Sequence, residues 1–181
     1  MLDLLHQVVA ANFGAGESAA DTSTAAEEAI EKNVHNEIDG YRDLLRNGKA
    51  KTAKHLLESL KGRVWESASA RVRFRITTNI GAAMLSLGED RPAAEVFLEA
   101  IAYGENDPVG LANVALAYLL MKESQKANIA ARQALDHDPE NAAAAGYLIT
   151  GHISDETVTD PFSLVPGALH DTPEVLASAI N

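Results

Sequence analysis

The sequence predicts an all-α protein, an α-solenoid of antiparallel helix pairs, on three observations. No segment sustains the period-two alternation of a half-buried strand. Stretches of helix length are instead separated by turn signals such as Asn47-Gly48 and Gly88. Finally, residue types recur at an offset of 34 positions, two helices at a time, and a fixed period of about 20 to 50 residues denotes stacked repeats.

Composition bounds the reading. The 181 residues fit one domain with tails and suffice for a hydrophobic core. There is no cysteine, which excludes disulfide frameworks, thiolate zinc sites and cysteine nucleophiles. The net charge of −11 argues against binding polyanions over the whole surface. It is unevenly spread: −6 over residues 1–31, +6 over 32–75 (eleven basic against five acidic) and −11 over 76–181. The first ten residues are apolar but carry Asp3, and no basic residue precedes Lys32, so the positive start of a secretory signal is missing. No apolar run approaches the ~18 residues of a membrane span. The expectation is a cytoplasmic protein.

Taken in order, residues 1–23 read as a short helix (Leu2, Leu5, Val9) followed by a flexible, small and polar linker over 14–23. The repeat domain occupies 24–150. Thr24 and Glu27 match a capping box, opening a helix toward Arg46 with Ile30, Val34, Ile38, Tyr41 and Leu45 as its apolar stripe. Asn47-Gly48 stops it, because both residue types tolerate a left-handed backbone. Leu56, Leu57 and Leu60 mark the next helix, from Lys49 to about Gly62. A longer one follows from about Ser67 to Leu87, closed by Gly88. Asp90 is the expected cap of a helix reaching about Tyr103, with Pro92 in its tolerant first turn. Residues 151–181 read as a polar loop and a last short helix begun by Thr172-Pro173-Glu174. Such an end implies a segment folded back as a cap or a piece of a longer chain, and the second is the expectation.

The repeat is explicit. Ile80-Gly81 and Met84 recur as Val114-Ala115 and Tyr118, Ala93, Phe97 and Ala100 as Ala127, Ala131 and Ala134, and Asn79 as Asn113. Gly48 and Ala53 precede Gly88 and Ala93 by 40 positions, the period plus an insertion of six around Trp65–Ala70. On these residues the chain resembles the tetratricopeptide repeat family over about three units in residues 34–150. Gly81 and Ala115 resemble the small residue of the first helix, Met84 and Tyr118 the bulky one a turn later, and Pro139 the turn proline. In the first unit Tyr41 stands at the small position.

The resemblance implies a right-handed superhelix whose first helices line a concave groove for an extended peptide or a partner helix. Carried over by position, that groove includes His35, Ile38, Arg42, Leu45 and Arg46, then Arg75, Thr78, Asn79, Ala82, Leu85 and Ser86. The third unit adds Val109, Ala112, Asn113, Leu116, Leu119 and Leu120. One end is basic and the other apolar, so the implied ligand pairs an acidic segment with aliphatic or aromatic anchors. Asn79 and Asn113 would each offer a ligand backbone one donor and one acceptor. The cationic clamp by which one subclass holds chaperone C-terminal carboxylates is absent, since Ile38, Val109 and Asn113 stand at its positions. The N-terminal helix and the stretch Asp160–Pro166 are the two segments expected to cover the apolar groove surface.

Nothing in the chain assembles a catalytic site. The six histidines lack metal-ligand spacing, no phosphate-binding loop follows a strand, and Asp136-His137-Asp138 coincides with a solvated turn. No cofactor and no metal are expected. The protein therefore reads as a non-catalytic adaptor or scaffold for a protein or peptide partner. The alternatives are a regulatory module of a larger enzyme and a nucleic-acid-associated scaffold using the basic block 42–75, the latter disfavoured by the scarcity of interleaved aromatics. Self-association through the groove stays open.

Overall fold

The computed structural model describes residues 19–104, 106–154 and 160–180. The expectations for residues 1–18 lie outside them. Two compact units are present, Met1–Val34 and His35–Asn181. The first contributes the N-terminal part of α1 (Ala19–Arg46). The second carries the rest of that helix together with α2 (Ala50–Val64), α3 (Ala70–Ser86), α4 (Asp90–Ala100), α5 (Pro108–Leu120), α6 (Ser124–His137), α7 (Ala142–Ser154) and α8 (Pro173–Ile180). No strand occurs among the described residues.

Helix α1 is already under way at Ala19, inside the stretch read as a linker, and Thr24 lies within it rather than at its cap. The alanines and glutamates of 19–29 are strong helix formers, and they outweigh the turn tendency of the neighbouring Ser and Thr. Its expected stripe is only partly buried: Ile38 is fully enclosed, whereas Ile30 is 60 % exposed. Tyr41 is accommodated at a small-residue position because its hydroxyl turns aside and donates to Glu37 Oε2 at 2.8 Å.

Each pair reverses through the same three-residue turn. Gly48 and Gly88 have φ of +71° and +74°, and Lys122 takes φ of +62° at the equivalent place. The hydrogen bonds repeat as well. Lys49 N–H donates to Leu44 O, Glu89 N–H to Met84 O and Glu123 N–H to Tyr118 O, each spanning five residues. An inner bond joins Gly48 to Leu45, Gly88 to Leu85 and Lys122 to Leu119. This is the Schellman arrangement, which satisfies carbonyls left over at a helix end. It also consumes Glu89, so Asp90 begins α4 rather than capping it, and the residue at the cap, Glu89, makes no side-chain capping bond. Helix α4 proper ends at Ala100, and a 3-10 turn carries the chain on to Tyr103.

The six-residue insertion divides into two uses. Part forms a 3-10 turn over Trp65–Ser67, and part adds a turn to α3, which has 17 residues against 13 in α5. Ser69 caps α3 by accepting from Val72 N–H, a contribution of about 1 kcal/mol for such caps. Trp65 packs edge-on to Tyr103 with ring centroids 5.4 Å apart, and Lys61 Nζ lies 4.3 Å from its ring centre.

Between helices the contacts are close because the side chains are small. Ala93, Ala100, Ala115, Ala127, Ala131 and Ala134 are fully buried. Gly81 faces Phe97, and Ala115 and Ala131 share a single apolar cluster at the corresponding positions. The end of the chain folds back as a cap. Helix α7 runs on through Ser154, and Val165, Leu169 and Val175 join Val114, Ala115, Ala130, Ala131, Ala145, Leu148 and Ile149 in one buried cluster. Helix α8 approaches α7 closely, since a Cβ on Gly146 would stand 2.9 Å from Glu174 O. The stretch 160–166 thus contributes Val165 to the α5–α7 core instead of lying over Leu116 and Leu120, which pack with Ala93, Ala94, Phe97 and Ala117.

Candidate functional site

Helices α1, α3 and α5 are the first members of successive pairs, and one concavity of about 280 Å³ opens across them. Arg42 of α1 and Arg75, Thr78 and Asn79 of α3 form its polar side. Phe74, Ala82 and Phe97 supply an apolar surface, and Val109 and Asn113 of α5 line it together with Asp107 just before that helix. Of the seventeen groove positions expected from sequence, Arg42, Arg75, Thr78, Asn79, Ala82, Val109 and Asn113 meet here. Leu45, Arg46, Leu116, Leu119 and Leu120 do not. Arg46 pairs with Asp43 at 3.0 Å and is solvent-exposed. Ile38 and Ala112, also placed in the groove by position, are buried in the core at 0 % and 3 % exposure.

Three lining residues escaped the sequence reading. Phe97 belongs to a second helix and reaches the concavity because Gly81 has no side chain to block its ring. Phe74 sits in a slot between two glycines, and a Cβ on Gly104 or Gly110 would stand 2.8 or 3.0 Å from its ring. Asp107 is the cap of α5, accepting from Val109 N–H at 2.9 Å and Gly110 N–H at 3.1 Å through Oδ1. The glycines at 81, 104 and 110 were the available signal for the two rings.

The arginines are held. Arg75 Nη2 donates to Asp39 Oδ1 at 2.6 Å, and Nη1 meets His35 Nδ1 at 2.7 Å. A guanidinium only donates, so Nδ1 is the acceptor and the imidazole proton resides on Nε2. Arg42 Nη2 reaches the same Asp39 oxygen at 3.3 Å. Asn79 Nδ2 donates to Arg75 O at 2.7 Å, which uses one of its two amide protons and leaves the other, with the carbonyl oxygen. Asn113 makes no side-chain hydrogen bond among the described residues. Val109 is 55 % exposed at the rim.

Three further cations of the basic block are paired with acidic neighbours. Lys54 pairs with Glu89, Lys61 with Glu99 at 3.3 Å and Arg63 with Glu37 at 2.6 Å. Arg73 is turned onto the carbonyls of Trp65 and Glu66. Burial alone would raise the Glu37 carboxyl, but hydrogen bonds from Arg63 and Tyr41 and the Arg63 charge hold it below its ordinary value. Among the described residues no group of three or more His, Asp or Glu is placed to hold a metal ion. No helix among them is long and apolar enough to cross a membrane.

No protein-family model matches the sequence, and no curated protein does. Solved structures do. A Podosopora anserina protein of kinesin light chain type, with nearly identical TPR-like repeats, shares 19 % identity over 82 % of each chain with a TM-score of 0.63. A variant of that same protein gives 20 % identity, the same coverage and a TM-score of 0.64. MamA gives 17 % identity over 86 % of this chain and 83 % of its own, with a TM-score of 0.58. The chain has a tetratricopeptide-type fold, a helical-repeat solenoid.

Proposed function

We propose that this chain is a non-catalytic protein-interaction module that holds an extended segment of a partner protein against α1, α3 and α5. The partner places an acidic group at Arg42 and an apolar side chain over Phe74, Ala82 and Phe97. The observation that carries this reading is the meeting of Arg42, Arg75, Asn79 and Asn113, from three helices, around one apolar-floored concavity. Its volume of about 280 Å³ falls just below the ~300–1,000 Å³ of small-molecule pockets and suits one or two side chains. The pairing of Lys54, Lys61 and Arg63 with carboxylates leaves fewer unengaged cations for a polyanion partner.

The test is selection from a random peptide library displayed on phage. Wild type should enrich peptides with acidic and aromatic or branched aliphatic residues in proximity. Arg42→Glu should lose the acidic preference, and Val109→Asp at the exposed rim should lose the apolar one. Enrichment of the same peptides by all three proteins, or of none, sinks the groove reading.

A further inference from the structure

Resting on that reading of the groove, we infer that Asp39 is a built-in competitor for the partner's acidic group and sets how tightly the site takes a carboxylate. Its Oδ1 lies 2.6 Å from Arg75 Nη2 and 3.3 Å from Arg42 Nη2, so one carboxylate oxygen serves both cations of the concavity. Both terminal nitrogens of Arg75 already have a partner, Nη2 in Asp39 and Nη1 in His35. The Arg75 side chain is also the more enclosed, at 21 % exposure against 46 % for Arg42. Arg42 reaches back to Asp39 from the next turn of the same helix, through one terminal nitrogen and at a weaker distance. An incoming carboxylate therefore lands on Arg42, and Arg75 is a positioning residue that acts through Asp39.

The charges decide the sign. Two guanidiniums and Asp39 leave that triad at +1, Asp107 adds a second carboxylate to the lining, and a ligand carboxylate must enter against Asp39, which is 48 % exposed and accessible to it. An amide at position 39 accepts the same hydrogen bonds without that repulsion. The occupant is thus a peptide carboxylate that displaces a carboxylate of the chain itself. The groove's cations are already partly engaged when it is empty, and selectivity rests on the partner's apolar anchor as much as on its charge.

The experiment uses two dye-labelled eight-residue peptides, one alternating Glu with Phe and one alternating Gln with Phe, titrated by fluorescence anisotropy against the full chain. Asp39→Asn should bind the Glu peptide about three- to fivefold more tightly than wild type, the range of an exposed charge interaction. Its affinity for the Gln peptide should be unchanged, and Asp39→Glu should return the wild-type value. Unchanged or weaker binding of the Glu peptide by a folded Asp39→Asn overturns the competitor role while leaving the groove reading intact. If Asp39→Asn loses its helical circular dichroism, the comparison passes to Asp39→Ser with the same two expectations. Failure of wild type and every variant to bind either peptide overturns the groove reading and this inference together.

Discussion

The ring of Phe97 occupies the space that a side chain on Gly81 would need: a Cβ at position 81 would stand 2.7 Å from Phe97 Cε1. Phe97 is only 3 % exposed, so the ring cannot swing into solvent to make room. Gly81→Ala should therefore destabilise by about 1–3 kcal/mol, the usual cost of overpacking a core. Adding Phe97→Leu should recover part of that loss, because the smaller residue opens the contact. Urea denaturation of both single variants and the double checks it. Additive losses would sink the direct-contact explanation.

Lys122 adopts the left-handed backbone that Gly48 and Gly88 adopt in the two preceding turns. A Cβ in that region costs about 1–2 kcal/mol, offset in part by the entropy a glycine loses on folding. Lys122→Gly is expected to raise stability by about 0.5–1 kcal/mol, and Gly88→Ala to lower it by about 1 kcal/mol. Thermal midpoints under identical conditions measure both.

Glu37 bonds to Arg63 and Tyr41, and its folded-state carboxyl lies below the ordinary value. A depressed carboxylate contributes stability that is present above its unfolded value and is lost as pH falls through the folded one. Glu37→Gln should consequently flatten the decline in melting temperature between about pH 5 and pH 3 relative to wild type. Parallel acid profiles for the two proteins would remove the interaction as a source of stability.

Asn128 Oδ1 is buried without a hydrogen-bond partner among the described residues, and it fills the space that a Cβ on Gly151 would take. Position 128 corresponds to the buried Ala94 one repeat earlier. Removing an unsatisfied buried carbonyl relieves a penalty of about 1–3 kcal/mol, against which lost packing must be set. Asn128→Ala should therefore be neutral to stabilising by about 1 kcal/mol. Gly151→Ala should be strongly destabilising alone and tolerated in the Asn128→Ala background. Equal cost in both backgrounds would show that the contact is not what excludes a side chain at 151.

Much of the fold was legible because helix-level information is local. Gly48 and Gly88 mark turns by their own backbone freedom, and the 34-residue recurrence of small residues marks where helices touch. The candidate site was legible by half. Arg42, Arg75, Thr78, Asn79, Ala82, Val109 and Asn113 follow from repeat position, which fixes the azimuth of a residue on a first helix. Leu116 and Leu120 lie outside the concavity because a residue on the boundary between two faces is claimed by whichever neighbour packs closer, here Phe97 and the alanines of α4. Phe74 and Phe97 were missed because each reaches the concavity past an absent side chain on another element.

By itself the sequence determined the helix pairs, the period that stacks them and the small residues that let them approach, since each depends on spacing along one chain segment. Tertiary structure alone decided that the last segment turns back to seal α7, and that Arg75 is tied to Asp39 across 36 positions. Those depend on how far apart and at what rotation two helices settle. That is an outcome of packing among all their neighbours, which no local pattern encodes.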